Sequence, residues 1–391
     1  MKKQTSPKVY IPLQLMGNRK LYINSDRFQI LREDLEKFLD GEKYMNSKAF
    51  AQNVLLSHEI QSNNVVEGYK DDVETVKEVI NDTLEVKDPK KRQRILNLYR
   101  GYKYVLKGKE INKETLKELY SILSEDLLKR EDLANMGEYY RNDDVFIYFS
   151  DRLEDTPMGS ILDGLGKKYD MGLQPDKIDE YMNQFFEYIN SYNIGTPTDH
   201  YIKSQIMHFY GVYIHPYYDI NGRTSRTMSM WHLLNNKVYP YVIFNRGIQL
   251  QKNKYYLVIR DVKKFCNVSF FINYMMETVK TELEKEYIMH SIASSTSSKL
   301  TSLDYQTLHY ILSMNGLKTV SDFASFYNHS NERKRQREIY ERMIIPLMDK
   351  GIIIPVRKTD SNIYGDTSNF VFEFNPSRID NNPEKIKRLK L

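Results

Sequence analysis

Apolar residues recur at helical spacing along much of this chain. Phe28, Leu31, Leu35 and Phe38 stand three or four apart, as do Val73, Val76, Val79 and Ile80, and this predicts amphipathic helices between residues 26 and 130. The stretch GEYYRNDDVFIY at 137–148 breaks that pattern. Its turn formers are followed by a β-branched and aromatic run, which predicts a small hairpin. Helical periodicity returns over 178–193, 199–214 and 223–236; YPYVIFNRG then reads as extended, and 252–283 as helix again. The serine-rich SIASSTSSK at 291–299 lacks periodicity and is the expected linker.

Beyond that linker come two short helical patterns and a longer charged one, NERKRQREIYERMIIPLMDKG. Two strand-like runs follow, GIIIPVR and FVFEF, around the polar loop KTDSNIYGDTSN. Three helices and then a two-stranded hairpin is the order of a winged helix. The expected fold is therefore mainly α, divided into an N-terminal helical region (1–110), a helical core with a small β-hairpin (111–290) and a winged-helix-like module (300–391).

Composition narrows the function classes. Apolar residues make up 41% and charged residues 28% of 391 residues, which suits a soluble, core-forming protein. The longest apolar runs fall far short of a membrane span, and the start MKKQTSPKVYIP has no apolar stretch behind it to make a secretion signal. The single cysteine, Cys266, excludes an internal disulfide framework and a multi-cysteine zinc site. A cytoplasmic setting is expected. Residues 331–391 hold 13 Lys/Arg against 9 Asp/Glu, nearly all of the net charge of +5, so any polyanion contact is expected there.

The chemistry concentrates in HPYYDINGRTSR at 215–226. An apolar helix face (Ile206, Phe209, Tyr213) delivers His215 at its end, where Pro216 stops the helix. A loop with Asp219, Asn221 and Gly222 follows, and a new helix begins near Arg223. Amides at a helix N-terminus cradle anions, because unbonded N–H groups and the helix dipole both favour phosphate. Arg223 and Arg226, three apart, stay near the mouth of that cradle. Asp219 offers one hard oxygen ligand for a Mg²⁺ already held by phosphates, and His215 has the ordinary pKa range of a general base. One base, one carboxylate and two cations around an anion cradle point to phosphate-transfer chemistry.

This segment resembles the Fic signature HPFx(D/E)GNGRxxR, matched at His215, Pro216, Asp219, Asn221, Gly222, Arg223 and Arg226, with Tyr217 in place of Phe and Ile220 in place of the first glycine. The resemblance extends over roughly residues 50–285. GEYYRNDDVFI is similar to the family's flap, the hairpin that pins the target's acceptor segment by strand pairing, which puts Val145 and Ile147 on the flap. NKYYLVIRDV is similar to the helix bordering the nucleotide pocket, which puts Tyr256 near the adenine; Lys263 stands where relatives often carry Asn. The resemblance implies a protein adenylyltransferase that moves AMP from Mg-ATP to a Ser, Thr or Tyr hydroxyl of a target protein. His215 would be the base and Asp219 the Mg²⁺ ligand. Asn221 and Gly222 would shape the anion hole, and Arg223 and Arg226 would grip the outer phosphates. Self-modification and a homodimer are compatible with it, as are another nucleotide donor or AMP removal.

SHEIQSNNVVEGYKDDVETV is similar to the family's inhibitory helix, patterned (S/T)xxxE(G/N). Glu67 and Gly68 match, and Asn63 stands at the Ser/Thr position. The resemblance implies that Glu67 pairs with Arg226 where the γ-phosphate would bind. In the C-terminal module, ERKRQR at 332–337 is expected either to touch DNA phosphates as part of a recognition helix or to be a protein-contact face. The first option makes the chain a DNA-binding regulator with a Fic-like sensor core.

Overall fold

The computed structural model describes residues 8–24, 56–84, 86–148, 169–191, 195–238, 244–295, 299–314, 318–356 and 371–375. The expected helix at Phe28–Phe38 and the loop KTDSNIYGDTSN lie outside these residues. The chain divides into two compact units, Met1–Ala51 with Glu85–Lys280, and Gln52–Leu84 with Thr281–Leu391.

The first unit is helical, as its periodicity predicts, with two small antiparallel sheets. Its N-terminal hairpin, β1 (Lys8–Leu15) and β2 (Arg19–Asn24), lies in the region expected to be helical. Gly17 and Asn18 turn the chain with φ of 74° and 57°, a conformation that glycine and asparagine tolerate best. Leu13, Leu15 and Leu21 are buried. The hairpin is then bonded to the rest of the unit: the Met16 N–H donates to the Tyr213 hydroxyl at 2.6 Å and Tyr210 donates to the Gln14 carbonyl at 2.9 Å.

The helices of this unit are α3 (Pro89–Val105), α4 (Lys113–Ser124), α5 (Arg130–Ala134), α6 (Pro175–Ser191), α7 (Pro197–Ile214), α8 (Asn221–Asn235), α9 (Phe244–Leu250) and α10 (Lys252–Phe265), together with the first part of α11 (Ser269–Ser295). Strands β3 (Phe146–Tyr148) and β4 (Tyr169–Met171) pair antiparallel, Phe146 opposite Met171; of the hairpin expected within 137–148 only β3 is a strand, and its partner lies at 169–171, outside that stretch. Residues 244–247 are helical where an extended run was expected, and α11 continues to Ser295, into the expected linker. Ile292 is fully buried there, and burial of an apolar side chain outweighs the weak helix preference of serine.

Helices α7 and α8 form the centre of the unit. Gly211 permits their approach: a Cβ at that position would stand 2.7 Å from Ser225 Oγ. Trp231 of α8 is fully buried and meets Tyr104 edge-on at 5.6 Å. At one end of this pair, His232 Nε2 faces His200 Nδ1 at 3.4 Å. Burial, then Lys203 and His200, push the His232 pKa down to about 3 from 6.5. The sign follows from proton uptake: below about pH 6.5 the unfolded chain protonates this histidine and the folded one resists, so stability falls as pH drops from 6.5 toward 3. At pH 5 the expected loss is about 2 kcal/mol. Thermal melts at pH 7 and pH 5 should show a drop that His232→Gln reduces; equal drops in both proteins would remove His232 as the cause.

In the second unit, α1 (Leu56–Val66) and α2 (Val73–Ile80) pack with α12 (Ser302–Ser313), α13 (Val320–Ser330), α14 (Gln336–Ile339), a π-helical turn (Tyr340–Ile344), α15 (Ile345–Asp349) and a three-stranded sheet ordered β5 (Lys318–Thr319), β7 (Val371–Phe374), β6 (Ile353–Pro355). Buried Asn331 is its polar hub. Its Oδ1 accepts from Gln61 and Gln306, both at 3.0 Å, and its Nδ2 donates to the Tyr310 hydroxyl and the Tyr327 carbonyl, both at 2.9 Å. Asp72 accepts from the Tyr327 hydroxyl and pairs with Lys334, both at 2.7 Å. Gln61 and Asp72 are thus held to partners 255 to 270 positions along the chain. Among the described residues no helix is long and apolar enough to cross a membrane.

Candidate active site

The segment 215–226 links α7 to α8. His215 caps α7 with φ 53° and ψ 58°, its N–H donating to the Gly211 carbonyl. A non-glycine residue in this left-handed region is uncommon and carries strain. The loop then turns back on itself through Asn221, whose Oδ1 accepts from the Tyr217 N–H at 2.9 Å and whose Nδ2 donates to the Tyr217 carbonyl at 2.8 Å. This pair of hydrogen bonds closes the loop on itself.

Ile220 precedes α8 with φ 68°, so the position where the signature has glycine keeps the glycine-like backbone. A β-branched residue is strained there by roughly 1–2 kcal/mol. Its side chain is 1% exposed, turned into the core rather than toward the anion cradle. Burial of an isoleucine is worth about 1.5–3 kcal/mol, enough to offset the strain. This is the physical account of how the chain departs from glycine without losing the loop.

The residue before α8, Ile220, makes no side-chain cap bond, unlike the Ser, Thr, Asp or Asn that commonly caps a helix start. Asp219 is exposed at the mouth, its Oδ1 accepting from the Ile220 N–H at 2.6 Å. Gly222 lies in the first turn of α8, and Arg223 and Arg226 are both buried, Arg226 to 1% exposure. Burial and the nearby Arg226 hold the His208 imidazole well below the ordinary histidine pKa, so it is neutral, and it shares a 2.8 Å hydrogen bond with the Tyr255 hydroxyl. Tyr217 stacks on Tyr120 with ring centres 3.6 Å apart. Burial, then Asp219, push the Tyr120 hydroxyl pKa up.

The structure therefore brings together His215, Asp219, Asn221, Gly222, Arg223 and Arg226 at one helix junction. Tyr256 lies on α10 with its ring 5.2 Å from that of Tyr255 and with Lys252 over it. Val145 stands at the stem of the β3–β4 hairpin, its carbonyl accepting from the Gly172 N–H at 3.0 Å. Glu67 follows α1 directly, in the second unit. Tyr69 N–H bonds to the Asn64 carbonyl, Gly68 N–H to that of Val65, and Gly68 has φ 95°, a glycine-terminated helix end. The Glu-Gly pair thus has a local structural reason as well.

The comparisons with known proteins fit this geometry. Residues 110–233 match the model of the Fic/DOC family, a span that begins just before α4 and ends inside α8. The chain carries a Fic/DOC family domain. A crystal structure of a Fic family protein from Desulfovibrio desulfuricans G20 superposes with a TM-score of 0.52 at 15% identity, covering 90% of this chain and 92% of that one, which is a likeness of fold. No curated protein matches the chain. Members of this family typically transfer nucleotide monophosphates to proteins, so the domain points to transferase activity in general.

Several residues at the Fic site escaped the sequence reading. His208 near Arg226, Tyr255 bonded to His208, Tyr120 under Tyr217, and Arg141 and Tyr218 at the stem of the β3–β4 pair are all outside the expected set. Their types carried no signal on their own; only proximity gives them meaning.

Proposed function

We propose that this protein is an adenylyltransferase that moves AMP from Mg-ATP onto a Ser, Thr or Tyr hydroxyl of a target protein, and onto itself. The observation that supports this most is the coincidence at one helix junction of His215, a helix N-terminus and two buried arginines. In the proposed reaction His215 takes the proton from the attacking hydroxyl as its oxygen bonds to the α-phosphorus. The bond from the α-phosphorus to the bridging oxygen breaks, and pyrophosphate leaves with the electron pair. The α8 amides and the two guanidinium groups stabilise the charge gathered on the phosphates, so positioning and electrostatics supply most of the catalysis.

Among the described residues no group of three His, Cys, Asp or Glu is gathered to hold a metal. A single exposed carboxylate still suits Mg²⁺, which binds through one or two carboxylates plus substrate phosphates. Asp219 would hold it, and the ion would supply charge neutralisation at the phosphates. Incorporation should follow label at the α-phosphorus of ATP and not label at the γ-phosphorus. Retained γ-label would make the protein a kinase, and incorporation only from another nucleotide would replace ATP as the donor.

We infer that Glu67 restrains this activity by competing with the γ-phosphate for Arg226. Its place at the end of a helix, followed by Gly68, fits the family's inhibitory pattern. We read the C-terminal module as a winged helix that serves as a protein-contact module. Within the second unit Lys334 pairs with Asp72 and Arg342 with Glu74, while Arg337 pairs with Glu341. Two of the four cations in the run at 332–337, Lys334 and Arg337, are thus matched by carboxylates, as is Arg342 just beyond it, which favours protein contact over DNA binding.

A further inference from the structure

Arg141 is 2% exposed, and among the described residues its partners are main-chain carbonyls on three separate segments. Its Nε donates to the His215 carbonyl at 2.9 Å, and its own backbone N–H donates to the Pro216 carbonyl at 3.0 Å. Its two terminal nitrogens donate to the carbonyls of Asp143 and Leu173. Asp143 precedes β3 and Leu173 follows β4, so these are the two stems of the flap hairpin. Gly172 makes room for the guanidinium and for Val145, since a Cβ there would stand 2.8 Å from Arg141 Nη2 and 2.7 Å from Val145 Cγ2. A second tie runs alongside: the Tyr218 hydroxyl accepts from the N–H groups of Asn142 and Asp143 at 3.2 and 3.1 Å and donates to the Asn135 carbonyl at 3.0 Å.

We propose that Arg141 is a positioning residue that fixes His215 and the flap relative to one another, so that base and acceptor are aligned by a single buried guanidinium; this rests on the transfer reaction proposed above. His215 is held in a left-handed conformation that its neighbours must enforce. The direction of its side chain follows from the orientation of its peptide group, which Arg141 grips from the carbonyl side. The same guanidinium sets both points where the flap leaves the core. A planar fork of five N–H donors reaches several carbonyls at once, and the point charge of lysine does not. Burial lowers the Arg141 pKa, yet a guanidinium stays charged in a protein, and carbonyl dipoles supply its compensation. The α8 amides that cradle the phosphates are untouched by it, so the effect falls on alignment and not on nucleotide affinity.

The test uses Arg141→Lys and Gly172→Ala in the full chain, with amide hydrogen exchange and the kinetics of self-modification. Exchange should rise together at 142–148, at 169–173 and at 215–219, with α8 and α10 protected as before. The kcat should fall by about tenfold to a hundredfold, as for a small misplacement of reacting groups, with the KM for ATP unchanged. Gly172→Ala should give the same pattern in milder form and keeps the test available if the lysine variant fails to fold. Raised exchange at the flap with 215–219 unchanged would overturn the proposal, as would a uniform loss of protection across the first unit. If the wild-type protein shows no transfer, the functional reading fails, and the exchange pattern still decides the role of Arg141.

Discussion

Replacing His215 by alanine is expected to lower AMP transfer by at least about 10²-fold, the low end for losing a general base, while thermal stability stays close to that of the wild type. The side chain is only half-buried at the end of α7, and the loop is held by contacts that do not use the imidazole: the Asn221 clamp on Tyr217 and the Arg141 bonds to the His215 and Pro216 carbonyls. Removing the ring therefore leaves the anion cradle intact. Nucleotide affinity should be preserved, and the loss should appear in kcat. Titration calorimetry with ATP, run beside a transfer assay, separates the two. Near wild-type transfer in purified His215→Ala protein would defeat the proposed mechanism; lost ATP binding would reassign His215 to the nucleotide pocket.

The second large effect has the opposite sign. Glu67→Gly should raise self-modification by an order of magnitude or more, since each factor of ten corresponds to about 1.4 kcal/mol. If Glu67 holds Arg226, the γ-phosphate lacks its clamp and the α-phosphate is turned from the hydroxyl; removing the carboxylate frees the guanidinium. An ordinary helix-end glutamate replaced by glycine would instead cost about 1 kcal/mol of stability and raise no rate. The structure adds a control. Gly68 already ends α1 with positive φ, so a substitution that leaves this helix end intact, Glu67→Gln, should release the brake without further loosening the backbone. Adding Arg226→Ala to Glu67→Gly should cancel the gain, since the freed partner is then missing. Activity of Glu67→Gly no higher than wild type in excess Mg-ATP would return Glu67 to a structural role at the helix end.

The helix junction that gathers the candidate residues was legible because those residues are contiguous. His215, Asp219, Asn221, Arg223 and Arg226 lie within twelve residues, so spacing alone places them at one helix junction. Arg141 was not legible, because it bonds to main-chain carbonyls 74 and 32 residues away, and a carbonyl leaves no mark on residue type. The hairpin at 8–24 was hidden by Pro12 in a short run, which argues against a strand; the pairing register shifts between Tyr10 and Gln14, so the proline sits in that irregularity. The grouping of residues 52–84 with the C-terminal module was invisible for a third reason. Gln61 and Asn331 are 270 positions apart, and single polar residues at that distance announce no pairing.

The most direct measurement is the intact mass of the Glu67→Gly protein after incubation with Mg-ATP, beside Glu67→Gly/His215→Ala. The account predicts a gain of one or more AMP units in the first protein, mapped by peptide sequencing to a hydroxyl side chain, and no gain in the second. No AMP adduct on Glu67→Gly, or an equal adduct on the protein that also lacks His215, would contradict it.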